Sequence, residues 1–179
     1  GTNKNDVISE QYFNEEFDKI PSVFWYTYLK ELDLKNKGLV TPVLEILPHT
    51  NIECLFFDWN CINDKEIIQL GELLKKTKLT QVIFSSVNME DPSSIIKFCS
   101  YVASTKLRYL DLSGGIGSSL QEVINNLQGA TLDTLRADSS EKGIVDFQKL
   151  GEGINKISIQ NLTLIDTICN LEQATSFLT

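Results

Sequence analysis

Apolar and polar positions along the chain repeat in one figure, apolar-x-x-apolar-x-apolar, six times over. It reads Leu29-Leu32-Leu34, Ile52-Leu55-Phe57, Leu79-Val82-Phe84, Leu107-Leu110-Leu112, Leu132-Leu135-Ala137 and Ile154-Ile157-Ile159. The first residues lie 23, 27, 28, 25 and 22 positions apart. Alternation at the end of each figure predicts a short strand with one buried face. A period of this size is the signature of stacked units, each burying its apolar side only against its neighbours.

Helix signals follow each figure in a matching register. Thr41-Pro42 places a hydroxyl before a proline at the first helical position, and Asp91-Pro92 does the same with a carboxylate. Asn63 with Glu66, and Ser118 with Gln121, read as capping boxes or close variants. These caps, and Asp166, fall 11 or 12 residues after the start of their figure. The predicted helices are Pro42 to Leu47, Asp64 to Lys76, Pro92 to Ser104, Ser119 to Leu127, Gly143 to Gly151 and Thr167 to Leu178. Apolar residues recur in them at three- and four-residue steps, as in Ile67, Leu70 and Leu74. Residues 1–28 hold Tyr12, Phe13, Phe17, Ile20, Val23, Phe24, Trp25 and Tyr26 and read as a helical cap over the open apolar end of the first unit.

With these residues in view, the runs Leu107-Arg-Tyr-Leu110-Asp-Leu112 and Ile52-Glu-Cys-Leu55-Phe-Phe57-Asp-Trp-Asn60 resemble leucine-rich repeats. They are closest to the strand-plus-helix type of ribonuclease-inhibitor-like proteins. The resemblance covers residues 29–179, about six repeats. It implies an α/β, right-handed solenoid with a curved parallel sheet on the concave side and helices on the convex side. It carries no activity, because such repeats are recognition surfaces. The chain departs from the pattern where Lys37, Val87 and Gly115 stand in the slot that Asn60 fills, and in the fifth repeat, which has Ala137 and no cap at the expected offset.

Strand alternation sends the residues between the apolar ones to the opposite face. The exposed positions are then Glu31, Asp33 and Lys35; Cys54, Phe56 and Asp58; Gln81, Ile83 and Ser85; Tyr109, Asp111 and Ser113; Thr134, Arg136 and Asp138; and Lys156, Ser158 and Gln160. Phe56, Ile83 and Tyr109 are expected side by side, with Trp59 at one margin and Asp33, Asp58, Asp111 and Asp138 around them. An apolar strip with an acidic rim is what a protein-binding face requires.

Charge narrows the partners. The 179 residues carry 24 acidic and 16 basic side chains, a net charge of −8, which disfavours nucleic acid and anionic membranes. No apolar stretch is long enough to span a bilayer. The start, Thr2-Asn3-Lys4-Asn5-Asp6, lacks a secretory pattern, and the initial Gly points to a trimmed or tagged product. Cys54, Cys61, Cys99 and Cys169 have no metal or redox spacing, so a reducing, cytoplasmic compartment is expected, with free thiols and no metal or cofactor.

Catalysis is not expected. His49 is the only histidine and lies in a turn. Gly114-Gly115-Ile116-Gly117 lacks the Lys-Ser/Thr ending of a phosphate loop. Asp111 and Asp138 belong to different repeats on an open face. The reading is a non-catalytic module binding another protein, with a basic or apolar surface, on its strand face. The alternatives are an inhibitor covering a partner enzyme's active site, and an adaptor or targeting module of a bacterial effector in a host cell's cytoplasm.

Overall fold

The first five apolar figures each become one strand of a single parallel sheet, and a sixth strand follows them. The computed structural model describes residues 29–34, 37–58, 62–85, 92–113, 116, 119–138 and 146–165. The strands are β1 (Glu31–Leu34), β2 (Cys54–Asp58), β3 (Gln81–Ser85), β4 (Tyr109–Leu112), β5 (Thr131–Asp138) and β6 (Ser158–Ile165). Between them run α1 (Lys37–Ile46), α2 (Asp64–Leu73), α3 (Ser93–Val102), α4 (Leu120–Asn126) and α5 (Phe147–Ile154). Strand order follows chain order, β1-β2-β3-β4-β5-β6, with every pair parallel. An order without reversal keeps crossovers of one hand on one face. The helices accordingly touch in sequence, α1 with α2 through α4 with α5.

The register is the one that the apolar figures define. Leu32 stands opposite Leu55, Leu55 opposite Val82, Val82 opposite Leu110, and Leu110 opposite Leu135. All five are buried, and they join the apolar sides of the helices in one core. Phe57 stacks on Phe84 at 5.3 Å between ring centroids, and Phe98 of α3 meets Phe84 edge-on at 5.4 Å. Fully burying side chains of this size contributes about 1.5–3 kcal/mol each.

A turn that the apolar pattern did not announce fixes the step from helix to strand. Thr50, Thr77 and Thr105 each stand two residues before an apolar figure. Each hydroxyl donates to the carbonyl three residues back: Thr50 to Leu47 at 2.9 Å, Thr77 to Leu74 at 2.9 Å and Thr105 to Val102 at 2.7 Å. Each also accepts from the N–H two residues on, in Ile52, Leu79 and Leu107. The turn is thereby closed with its polar groups satisfied inside the protein.

Four expectations are corrected. The sixth figure is Ile159-Leu162-Leu164, not Ile154-Ile157-Ile159, since Leu132 pairs with Ile159, Leu135 with Leu162 and Ala137 with Leu164. Ile154 ends α5, and Ile157 occupies the turn slot that threonine fills earlier. The displacement begins at α5, whose cap is Asp146, its side chain accepting from Lys149 N–H at 3.1 Å. This cap lies 14 residues past Leu132, so the helix runs from Phe147 rather than Gly143. The fifth strand is well formed, with Ala137 buried opposite Leu112.

Thr41 is no cap either: α1 begins at Lys37 and carries Pro42 inside it. An interior proline costs about 3 kcal/mol. The fully buried Val40, Val43 and Leu44 offset that loss, and the Thr41 hydroxyl donates to Glu66 Oε1 at 2.6 Å. The capping box at Asn63 and Glu66 is present, with Asn63 Oδ1 accepting from Glu66 N–H at 3.1 Å and Glu66 Oε2 from Asn63 N–H at 3.0 Å. The capping assignments of Asp91, Ser118 and Asp166, the cap over residues 1–28 and the helix from Thr167 to Leu178 lie outside the described residues.

Close packing of neighbouring helices requires glycine at one contact. A Cβ on Gly71 of α2 would lie 2.6 Å from Tyr101 Cδ2 and 3.3 Å from Phe98 Cα of α3. Among the described residues no helix is long and apolar enough to cross a membrane.

Candidate functional site

The face of the sheet away from the helices carries its side chains in rows, because parallel strands in register bring equivalent positions together. One row runs Glu31, Cys54, Gln81, Tyr109, Thr134 and Asn161. The next runs Asp33, Phe56, Ile83, Asp111, Arg136 and Thr163. Phe56 and Ile83 are therefore direct neighbours, both half-buried, and Asp33 is exposed beside Phe56.

Tyr109 does not sit beside Ile83 in their row. Val82 aligns with Leu110, which puts Tyr109 opposite Gln81 and Asp111 opposite Ile83. The aromatic ring is thus diagonal to the apolar pair, and the expected strip of three is a pair with an offset neighbour. On β6 the outward residues are Asn161, Thr163 and Ile165, in place of Lys156, Ser158 and Gln160. The spacing of Leu162 and Leu164 was the signal for them.

Asp111 is a third correction at the face. It was expected at an exposed acidic rim, yet it is buried, with 3% of its surface exposed. One oxygen accepts from Ser113 N–H at 2.9 Å and the other from Arg136 Nη1 at 3.0 Å. Burying a carboxylate is costly unless it is paired and hydrogen-bonded, and here it is both. The Arg136 guanidinium is held above the ordinary arginine range, first by its hydrogen bond to Tyr109 and then by Asp111. Tyr109, Asp111 and Arg136 thus form one cluster, drawn from adjacent strands.

Cys54 also departs from expectation. It lies in the outward row but is buried, with its thiol 3.8 Å from Gln81 Oε1. Burial, and then the charge of Glu31, push the thiol up to about 12. Cys99, fully buried in α3, is pushed up further by burial alone. A thiol so raised is neutral near pH 7 and a poor nucleophile.

Of the remaining predicted site residues, Asp138 ends β5, half-buried and opposite Ile165. Asp58 ends β2 opposite Ser85. Trp59 lies outside the described residues. His49 is exposed at the end of a short 3-10 turn, Leu47–His49. Among the described residues, no group of three or more His, Cys, Asp or Glu is placed to hold a metal ion. The chain matches no protein-family model and no curated protein.

Proposed function

We propose that this chain is a non-catalytic protein-recognition module of leucine-rich-repeat type, curved so that the outward strand face is the concave, binding side. The observation that carries this reading is the in-register row in which Phe56 and Ile83 stand side by side on the face opposite the helices. Half-buried aromatic and aliphatic side chains between polar neighbours are the composition of an interface centre with its rim. Sequential strand order and a threonine turn repeated at 27- and 28-residue spacing support the repeat assignment. The titratable groups of the face argue for recognition over chemistry. Asp111 is spent on Ser113 and Arg136, and Cys54 holds its proton. The free thiols of Cys54 and Cys99 suit a reducing compartment, the cytoplasm of a cell or of its host.

The test is a comparison of Phe56→Ala/Ile83→Ala with the wild type in crosslinking and affinity capture from cytoplasmic extract. Truncating anchors of this kind costs at least about 2 kcal/mol of binding, so the double variant should lose partners while its circular dichroism spectrum is unchanged. Equal capture by both proteins would move the interface off this face.

A further inference from the structure

Five cations gather where α2 and α3 give way to the strands that follow them. Lys75, Lys76 and Lys78 lie between α2 and β3, Lys106 and Arg108 lie between α3 and β4, and all five are exposed. Gln81 pairs with Tyr109, so Lys78 and Lys106, each three residues earlier, hold equivalent places on neighbouring units. Arg108 N–H donates to the Thr80 carbonyl at 2.8 Å, which joins it to the same turn. Neighbouring strands lie about 4.8 Å apart, so the five share one small patch at the end of the sheet where its strands begin.

No described carboxylate forms an ion pair with any of the five. Lys78 Nζ donates to the amide oxygen of Asn51. Arg108 Nη1 donates to the carbonyls of Leu107 at 3.1 Å and Thr131 at 2.9 Å. The acids beside the patch sit at its margins. Glu53 is taken by Lys30. Glu72, three residues before Lys75, accepts from the Tyr101 hydroxyl at 3.3 Å. Asp133 follows Arg108 on the next strand, its N–H donating to the Arg108 carbonyl at 2.7 Å. Five positive charges against Glu72 and Asp133 leave a local excess of three, on a chain whose net charge is −8.

Cations near a helix C-terminus complement its dipole, which accounts for Lys75 and Lys76. It does not account for Lys78, Lys106 and Arg108, which stand beyond the helix ends at the starts of strands. Nor does the repeat demand them. The turn before β2 carries His49 and Glu53, the turn between α4 and β5 carries no lysine or arginine, and the turn before β6 carries Lys156 alone. The positive charge is thus confined to two successive units.

We propose that this end of the sheet is a second contact surface, separate from the strand face, and that it takes a short acidic segment of a partner protein. A few neighbouring Asp or Glu side chains fit between the marginal carboxylates. A nucleic acid or an anionic membrane would lay further phosphates over Glu53, Glu72 and Asp133 and against the charge of the whole chain. Because the cations are exposed, they act mainly by steering the encounter, and their effect falls as salt rises.

The experiment titrates the isotope-labelled chain with a synthetic octaglutamate peptide at low and at high salt, and follows the backbone amides by NMR. Shifts should concentrate at Lys75 to Leu79 and Lys106 to Tyr109 and shrink at high salt. Lys75→Gln/Lys78→Gln/Lys106→Gln changes exposed side chains alone and should keep the spectrum of the fold, while binding the peptide about ten-fold more weakly or worse. Shifts centred elsewhere, equal affinity of the variant, or no binding at low salt overturns the patch. Phosphatidylserine vesicles and a single-stranded oligonucleotide are run beside the peptide. Tighter binding of either, weakened by the same substitutions, overturns the choice of a protein segment.

Discussion

Two buried thiols link single residues to the pH dependence of the whole chain. Cys54 and Cys99 keep their protons in the folded state well above the ordinary value of 9.0, Cys54 up to about 12. Unfolded thiols lose theirs near 9, so above that pH the folded state binds more protons than the unfolded one. Stability is then full below pH 9 and falls as pH rises toward 12, by up to about 1.4 kcal/mol per unit for each thiol. Urea unfolding across this range should show a shallower fall for Cys54→Ala/Cys99→Ala than for the wild type. The small cavities left by the substitutions add an offset that does not vary with pH, so the slope alone decides. Equal slopes would mean that neither thiol resists ionisation in the fold.

At the scale of elements, the threonine turns carry weight that their size conceals. Thr77→Val keeps the shape of the side chain but removes the hydroxyl that serves both the Leu74 carbonyl and the Leu79 N–H. Leaving a buried N–H unserved costs about 1–3 kcal/mol, which should appear as a lower urea midpoint. An unchanged midpoint would show that the turn does not depend on its hydroxyl. The elements themselves were readable in the chain wherever two signals coincided. Apolar spacing placed β1 to β5, and Asn63 with Glu66 placed the start of α2. Where one signal stood alone, the reading slipped. Thr41-Pro42 looks like a helix start, yet three buried aliphatic side chains, Val40, Val43 and Leu44, carry α1 through the proline. Asp146 caps α5 two residues later than the pattern allowed, and the sixth strand moved with it. Of the site, the outward positions on β2 and β3 were legible because alternation is a local rule. The burial of Asp111 was not, because it depends on a neighbouring strand's Arg136, 25 residues away.

For the molecule as a whole, contacts run between successive units, and the main chain shows why. The carbonyl of Lys30 accepts from the N–H groups of Glu53 and Cys54, that of Glu53 from Thr80 and Gln81, that of Thr80 from Arg108 and Tyr109, and that of Arg108 from Asp133 and Thr134. The same joint is thus made four times, and each side of it is interchangeable with the next. Excising Glu53 to Leu79 would seam Ile52 to Thr80 and present to Lys30 the pair of donors that now serves Glu53. The shortened chain, lacking 27 residues, should still fold, with a five-stranded sheet and a smaller urea m-value in proportion to the surface lost. A main chain joined by one recurring contact can lose a strand with its helix and leave every remaining joint as it was.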